Sequence, residues 1–194
     1  QGGILDQEKI DIGVVNGIVG IERYLVTISG TKNHAGTTPM TLRDDAMMKA
    51  ANLIVELDAL ARKTDPTMVC TVGWLKVAPG VANVIPGEVE LCVEVRSMQI
   101  EAMHCLRDYI LNRFPAGQCV LKTTFEQLPV PMSEICKTAI SESAGACGLT
   151  QKNMNSGAGH DTMILAERIK HCGMVFVPSV GGVSHCPQEF TQWK

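Results

Sequence analysis

Hydrophobic positions along the chain switch between two periods. "ERYLVTISGT", residues 22–31, sets Tyr24, Val26 and Ile28 on one side of an extended chain and Leu25 and Thr27 on the other, the alternation of a half-buried strand. The run before it, "IDIGVVNGIVG" (10–20), is β-branched and punctuated by glycine, which predicts another strand. Residues 41–64 change to helical spacing. Ala46, Met47, Ala50, Ile54, Leu57 and Leu60 form one stripe, and Asp44 and Asp45 stand near its start, where the helix dipole favours negative charge. Two strand-like runs follow at 68–77 and 88–97, joined by a link containing Pro79, Gly80, Pro86 and Gly87, so a hairpin-like pair is expected. Residues 99–115 place Ile100, Met103, Leu106, Ile110, Leu111 and Phe114 on a second helical stripe that stops at Pro115 and Gly117. A strand at 118–128 closes the set.

The order from 22 to 128 is therefore βαββαβ, in which one antiparallel sheet buries a single face under two helices. Beyond "PVPM" (129–132) the wording becomes that of an α/β protein: a helix near 132–146, a turn, the glycine-rich "NSGAGHD", a helix near 160–169, a buried strand at 173–178, and a loop ending in His185. One central strand cannot bury itself alone, so this portion reads as an incomplete sheet.

Composition narrows the function classes. A chain of 194 residues with 45% apolar content can bury a core, and a formal net charge of −3 leaves no electrostatic footprint for nucleic acid or an anionic membrane. No apolar run reaches the roughly 18–20 residues that span a bilayer, and no signal-peptide pattern opens the sequence, so a cytoplasmic location is expected. The eight cysteines are dispersed without a CxxC, which favours reduced, buried thiols over a disulfide framework.

Three stretches combine permissive glycine with an isolated ionisable group: "NHAGTTPM", "NSGAGHD" and "PSVGGVSHCPQE". His34 sits on a mobile, polar loop with little to pack against. His185 follows Gly181 and Gly182 past the carboxyl end of a strand, where open α/β sheets gather ligands, and a neutral imidazole there suits zinc, although one histidine is not a site. Gly157, Gly159, His160 and Asp161 precede a helix whose amides could hold an anion or carbonyl; Ser156 or Asp161 acting as a plain helix cap is the alternative. Arg96 offers a fork for a carboxylate, or a surface ion pair, and Asn83 offers a donor for a carbonyl or oxyanion. Neither GxGxxG nor GxxxxGK[ST] occurs, which excludes the common nucleotide-phosphate cradles.

Taken together and in order, "QGGILDQEKIDIGVVNGIVG", "VTISGTKNHAGTTPM", "NVIPGEVELCVEVR", "PVPM", "NSGAGHD" and "VPSVGGVSHCPQE" resemble the allantoate amidohydrolase, N-carbamoyl-L-amino-acid hydrolase and β-ureidopropionase family, within the dinuclear-zinc aminopeptidase-like amidohydrolases. The resemblance implies an α/β catalytic domain with two divalent metal ions, zinc or else manganese, and an inserted βαββαβ lid that forms a homodimer. It divides the chain into a catalytic segment at 1–20, the lid at 21–128 and a second, incomplete catalytic segment at 129–194. On this basis His34 is the lid histidine that reaches the partner subunit's active site and stabilises the oxyanion. Asn83 and Arg96 bind the substrate, Arg96 by its carboxylate. Gln1 closes a "HIEQG" motif and, with Gly157, Ala158 and His160, lines the substrate pocket, while His185 is the last metal ligand. The implied reaction is metal-assisted hydrolysis of a linear ureido or carbamoyl C–N bond. "IGVVNGIVG", the "NHAGTTPM" loop and "LPVPM" look most like the allantoate enzymes, with an N-carbamoyl-L-amino acid or β-ureidopropionate as the alternative substrate. A reading of another class is a non-catalytic dimerisation fragment. Because most metal ligands would lie outside these residues, the chain alone is expected to be inactive.

Overall fold

The computed structural model describes residues 2–192. Its elements are α1 (Gly2–Glu8), β1 (Ile12–Ile18), β2 (Gly20–Ser29), α2 (Ala46–Thr64), β3 (Val69–Ala78), β4 (Glu88–Ser97), α3 (Ile100–Asn112), β5 (Cys119–Gln127), β6 (Val130–Pro131), α4 (Glu134–Ala146), β7 (Gln151–Ser156), α5 (Thr162–Ala166) and β8 (Val175–Phe176). They fall into two compact units: Gly20–Leu128, and the flanking segments up to Val19 and from Pro129 onward.

The unit Gly20–Leu128 carries a sheet of order β3-β4-β2-β5 in which every neighbouring pair is antiparallel. β2 and β4 lie at its centre, in register from Gly20 opposite Ser97 to Ser29 opposite Glu88. Strand periodicity sorts their side chains. Tyr24, Val26, Ile28, Val89, Leu91, Val93 and Val95 are buried in one cluster with residues of α2 and α3, and Arg23, Leu25, Glu94 and Arg96 turn to the opposite face. From the helices come Ala46, Ala50, Leu53, Leu57 and Ala61, and Ala102, Met103, Leu106 and Ile110. A leucine such as Leu106, fully out of water, contributes about 1.5–3 kcal/mol by burial.

Several expectations shift in detail. The helix expected from 41 begins at Ala46, because Asp45 caps it, its carboxylate accepting from the amides of Met47 (2.8 Å) and Met48 (3.3 Å). Residues Met40–Leu42 form a separate 3-10 turn. Asp44 pairs with Lys49 at 2.5 Å instead of facing the helix end. Met47 and Leu111 are exposed, and Leu53 and Ala61 complete the buried stripe in place of Met47 and Ile54.

Two buried carboxylates join elements of this unit. Glu22, on the same face of β2 as Tyr24, accepts the Tyr24 hydroxyl and lies 3.1 Å from His104 Nε2 of α3. Asp65, just past α2, accepts from Ser97 Oγ (2.6 Å), Thr67 N (2.8 Å) and Thr67 Oγ1 (2.7 Å). These bonds satisfy polar groups that burial would otherwise penalise.

In the other unit β1, not the 173–178 strand, is central. It pairs in parallel with β7 along one edge and antiparallel with β8 and β6 along the other. The strand expected at 173–178 shrinks to Val175–Phe176, and the helix expected at 160–169 to Thr162–Ala166. β7, "QKNMNS", spans the end of the expected turn and the first two residues of "NSGAGHD"; its main-chain bonds to β1 make it a strand despite its polar side chains. The core here is small, with Val15, Ile18, Met132, Met163 and Met174 packed by Val130 and Phe176. All eight cysteines are free as expected, but none is fully buried: Cys105 and Cys147 are exposed and the other six are half-buried. Among the described residues no helix is long and apolar enough to cross a membrane.

Candidate functional site

The loop after β2 is tied down by main-chain bonds at its neck and along one side. Its neck closes where Thr31 N donates to Asp44 O (2.7 Å), and it is laced to the 79–87 link by an antiparallel bridge between His34 and Val84. Ala35 N donates to Asn83 O (3.0 Å) and Ile85 N to Asn33 O (2.9 Å); Ile85 beneath them is 2% exposed and anchors the pair of loops. The structure thus brings the exposed residues His34 and Asn83 side by side.

Within the loop the imidazole is oriented by its own backbone. Gly36 N donates to His34 Nδ1 (3.0 Å), so Nδ1 carries no proton and the neutral ring bears its N–H at Nε2, which has no partner among the described residues. Asn33 Oδ1 accepts from His34 N (2.8 Å), and Thr38 Oγ1 donates to His34 O (2.8 Å). Arg43 donates through Nε to Thr38 O (3.1 Å) and through its terminal nitrogen to Ala35 O. Arg43 carried no signal at the sequence level, since its partners are carbonyls that only the folded loop brings together.

Arg96 lies elsewhere. It is near the far end of β4 from the 79–87 link, eight residues beyond Glu88, or roughly 27 Å at the rise of an antiparallel strand. Its Nε (2.9 Å) and terminal nitrogen (2.6 Å) donate to Glu94 Oε1, and Arg23 donates to the other oxygen of the same carboxylate while its guanidinium sits 5.6 Å from the Phe125 ring centroid. Partial burial pushes the Glu94 carboxyl up, but bonds from Arg23 and Arg96 and their charges outweigh it and hold the group below its usual value. The ion-pair role weighed for Arg96 is thus real, and it leaves the guanidinium anchored on the sheet's open face.

In the second unit Gly157 and Ala158 follow β7, and Ser156 Oγ donates to Ala158 O (2.8 Å). The cap on α5 comes from neither Ser156 nor Asp161: His160 Nδ1 accepts Thr162 N (3.1 Å) and lies 2.8 Å from Thr162 Oγ1. With five residues, α5 is too short for its amino end to act as an anion site through the helix dipole. A hollow of about 560 Å³ in this unit, lined by Leu5, Ile10, Ile12, Leu149, Val177 and Val180 among others, adjoins the start of β1 and includes none of the predicted residues.

His185 is exposed, in a left-handed conformation (φ 59°), with its amide donating to Glu189 Oε2 at 3.1 Å. Among the described residues no group of three or more His, Cys, Asp and Glu could hold a metal ion. Gln1 lies outside the described residues.

Comparison with known proteins identifies the family. The M20 peptidase dimerisation domain matches residues 16–116. The chain is 40% identical over 199 residues to an N-carbamoyl-L-amino-acid amidohydrolase of Paenarthrobacter aurescens, covering 100% of this chain and 48% of the relative. It is 38% identical over 197 residues to an allantoate amidohydrolase of Bacillus subtilis strain 168, covering 98% and 48%. Among solved structures, an amidase of the hydantoinase/carbamoylase family from Burkholderia multivorans superposes with a TM-score of 0.87 at 34% identity, over 98% of this chain and 48% of that one. The chain spans about half the length of the curated relatives it matches.

Proposed function

The chain belongs to the M20 peptidase dimerisation family, and from that membership we propose that it is the lid-bearing part of an amidohydrolase that cleaves a linear ureido or carbamoyl C–N bond in a substrate carrying a carboxylate. Allantoate is the first candidate substrate and an N-carbamoyl-L-amino acid the second; relatives bearing both names support the reaction class. The observation that carries the reading is the presentation of His34, an exposed imidazole whose Nδ1 is occupied by Gly36 and whose Nε2–H faces no partner among the described residues.

Such a donor fits the oxyanion that forms when water adds to a ureido carbonyl. One preorganised donor of this kind is worth about 2.7–4 kcal/mol in the transition state. Arg96 supplies a planar fork for the substrate carboxylate, and Glu94 keeps that fork extended until the carboxylate competes for it.

Arg96 stands roughly 27 Å along β4 from Glu88, at the opposite end of that strand from the link carrying Asn83, a span beyond the reach of one small substrate. Each site therefore takes His34 and Asn83 from one lid and Arg96 from another, which requires a homodimer. The described residues do not assemble a metal centre. The two divalent ions implied by the resemblance need ligands from elsewhere in a whole protein, with His185 as this chain's contribution.

The test uses full-length protein. His34→Ala and Arg96→Ala homodimers should each be nearly inactive, whereas random mixing of the two should restore about a quarter of wild-type activity, because half the dimers are mixed and each holds one intact site. No recovery on mixing would remove the shared-site reading. Kinetics on allantoate, N-carbamoyl-L-amino acids and β-ureidopropionate side by side would decide the substrate, and turnover of none of the three would overturn the reaction class. The 194-residue chain by itself is expected to dimerise without turnover.

A further inference from the structure

The neighbours of Arg43 in the sequence, Asp44 and Asp45, are both engaged elsewhere: Asp44 with Lys49 and Thr31, Asp45 with the amides that open α2. Among the described residues Arg43 makes no ion pair. Its part-buried guanidinium is instead spent on two main-chain carbonyls, those of Ala35 and Thr38. Ala35 directly follows His34, and Thr38 donates back to the His34 carbonyl through both its amide (3.2 Å) and its hydroxyl (2.8 Å).

Placing a permanently charged, five-donor group on two neutral carbonyls is a costly arrangement unless the shape of that loop matters. The span it fixes, 35 to 38, contains Gly36, whose amide sets the His34 tautomer. An added methyl at Gly36 would lie 3.2 Å from His34 Cε1, so the ring stands close beside this residue as well as bonded to its amide.

We propose that Arg43 is a positioning residue: it holds the 35–38 turn so that the Gly36 amide keeps the His34 proton on Nε2 and directs that N–H outward. This rests on the reading of His34 as the oxyanion donor. Arg43 itself touches no substrate; its effect passes through two carbonyls and one amide to the ring.

The test is a double-variant cycle in the full-length enzyme with the substrate it turns over, allantoate or an N-carbamoyl-L-amino acid. Arg43→Ala should lower kcat by about 10²-fold, the scale of a misplacement near 1 Å, with KM within about twofold of the parent and dimerisation unchanged. Added methylguanidinium should restore part of the Arg43→Ala activity and none of the His34→Ala activity. The double variant should be no slower than His34→Ala alone, because Arg43 then has nothing left to position. If Arg43→Ala does not fold, Arg43→Lys, which keeps the charge but loses the fork, should still lower kcat. Additive losses in the double variant, or full activity in both Arg43 variants while His34→Ala is impaired, would overturn the inference alone. Full activity in His34→Ala would remove the reading beneath it and the inference as well.

Discussion

Replacing Gly30 by alanine tests how the His34 loop is rooted. A Cβ at this position would lie 2.4 Å from Asp44 O and 2.7 Å from Ala46 N. Both are main-chain atoms, about 1 Å inside ordinary van der Waals contact. Neither can swing away as a side chain would. Relief requires the end of β2 to part from the segment entering α2, the place where Thr31 N donates to Asp44 O (2.7 Å) and Ala46 N to Pro86 O (3.1 Å). Overpacking of about 1–3 kcal/mol and loss of one or two hydrogen bonds near 1 kcal/mol each add to roughly 2–5 kcal/mol. For a chain of this size that lowers Tm by roughly 5–20 °C. Gly87→Ala is the matched control. Its Cβ would meet Lys32 Cγ at 2.3 Å, but that neighbour belongs to one exposed side chain that can turn aside as a whole without parting the main chain, so the Tm should fall by less than for Gly30→Ala. Thermal unfolding by circular dichroism reads both. Equal Tm values for Gly30→Ala and the parent, or equal falls for the two variants, would refute the argument that main-chain closure at Gly30 fixes the loop.

Leu106→Ala opens a cavity among Met103, Ile110 and the β-sheet and should cost about 2–5 kcal/mol in urea unfolding; a cost under about 1 kcal/mol would mean that the sheet and helices collapse onto the gap. Burial pushes the Asp65 carboxyl up, but bonds from Ser97 and Thr67 outweigh it and leave the group below its ordinary 3.8. Its stabilisation is therefore whole at neutral pH and is lost as pH falls below about 4 toward the depressed folded value. Asp65→Asn should destabilise at pH 7 and lose less further stability on acidification than the parent, as urea midpoints at both pH values will show. Burial pushes the Cys70 thiol up to about 11, so iodoacetamide at pH 7.5 should modify the exposed Cys105 and Cys147 first and leave Cys70 unmodified until the chain unfolds; early labelling at Cys70 on peptide mapping would contradict its burial.

The lid was legible in the sequence because one physical cause writes both its strands and its helices: a single buried face. Period 2 in β2 and β4 and period 3.6 in α2 and α3 point to the same cluster. β7 was not legible for the complementary reason. "QKNMNS" enters its sheet through parallel main-chain pairing with β1 and gives up little side-chain area to the core, so no periodicity records it. Glu22 could have been noticed, since a carboxylate two residues before Tyr24 on the buried face of β2 demands a partner, which α3 supplies as His104. At the site the division is sharper. That His34 is exposed follows from a polar, glycine-rich surrounding, and the sequence carries it. That the ring is held follows from Gly36 N, the carbonyls of Ala35 and Thr38, and the bridge to Val84. All of these are main-chain groups that every residue type possesses, so composition cannot reveal their use. An exposed imidazole on a loose loop would lose entropy each time it met a forming oxyanion. One whose tautomer and direction are already set loses much less, and this difference is what the hydrogen bonds around His34 contribute to any reaction it assists.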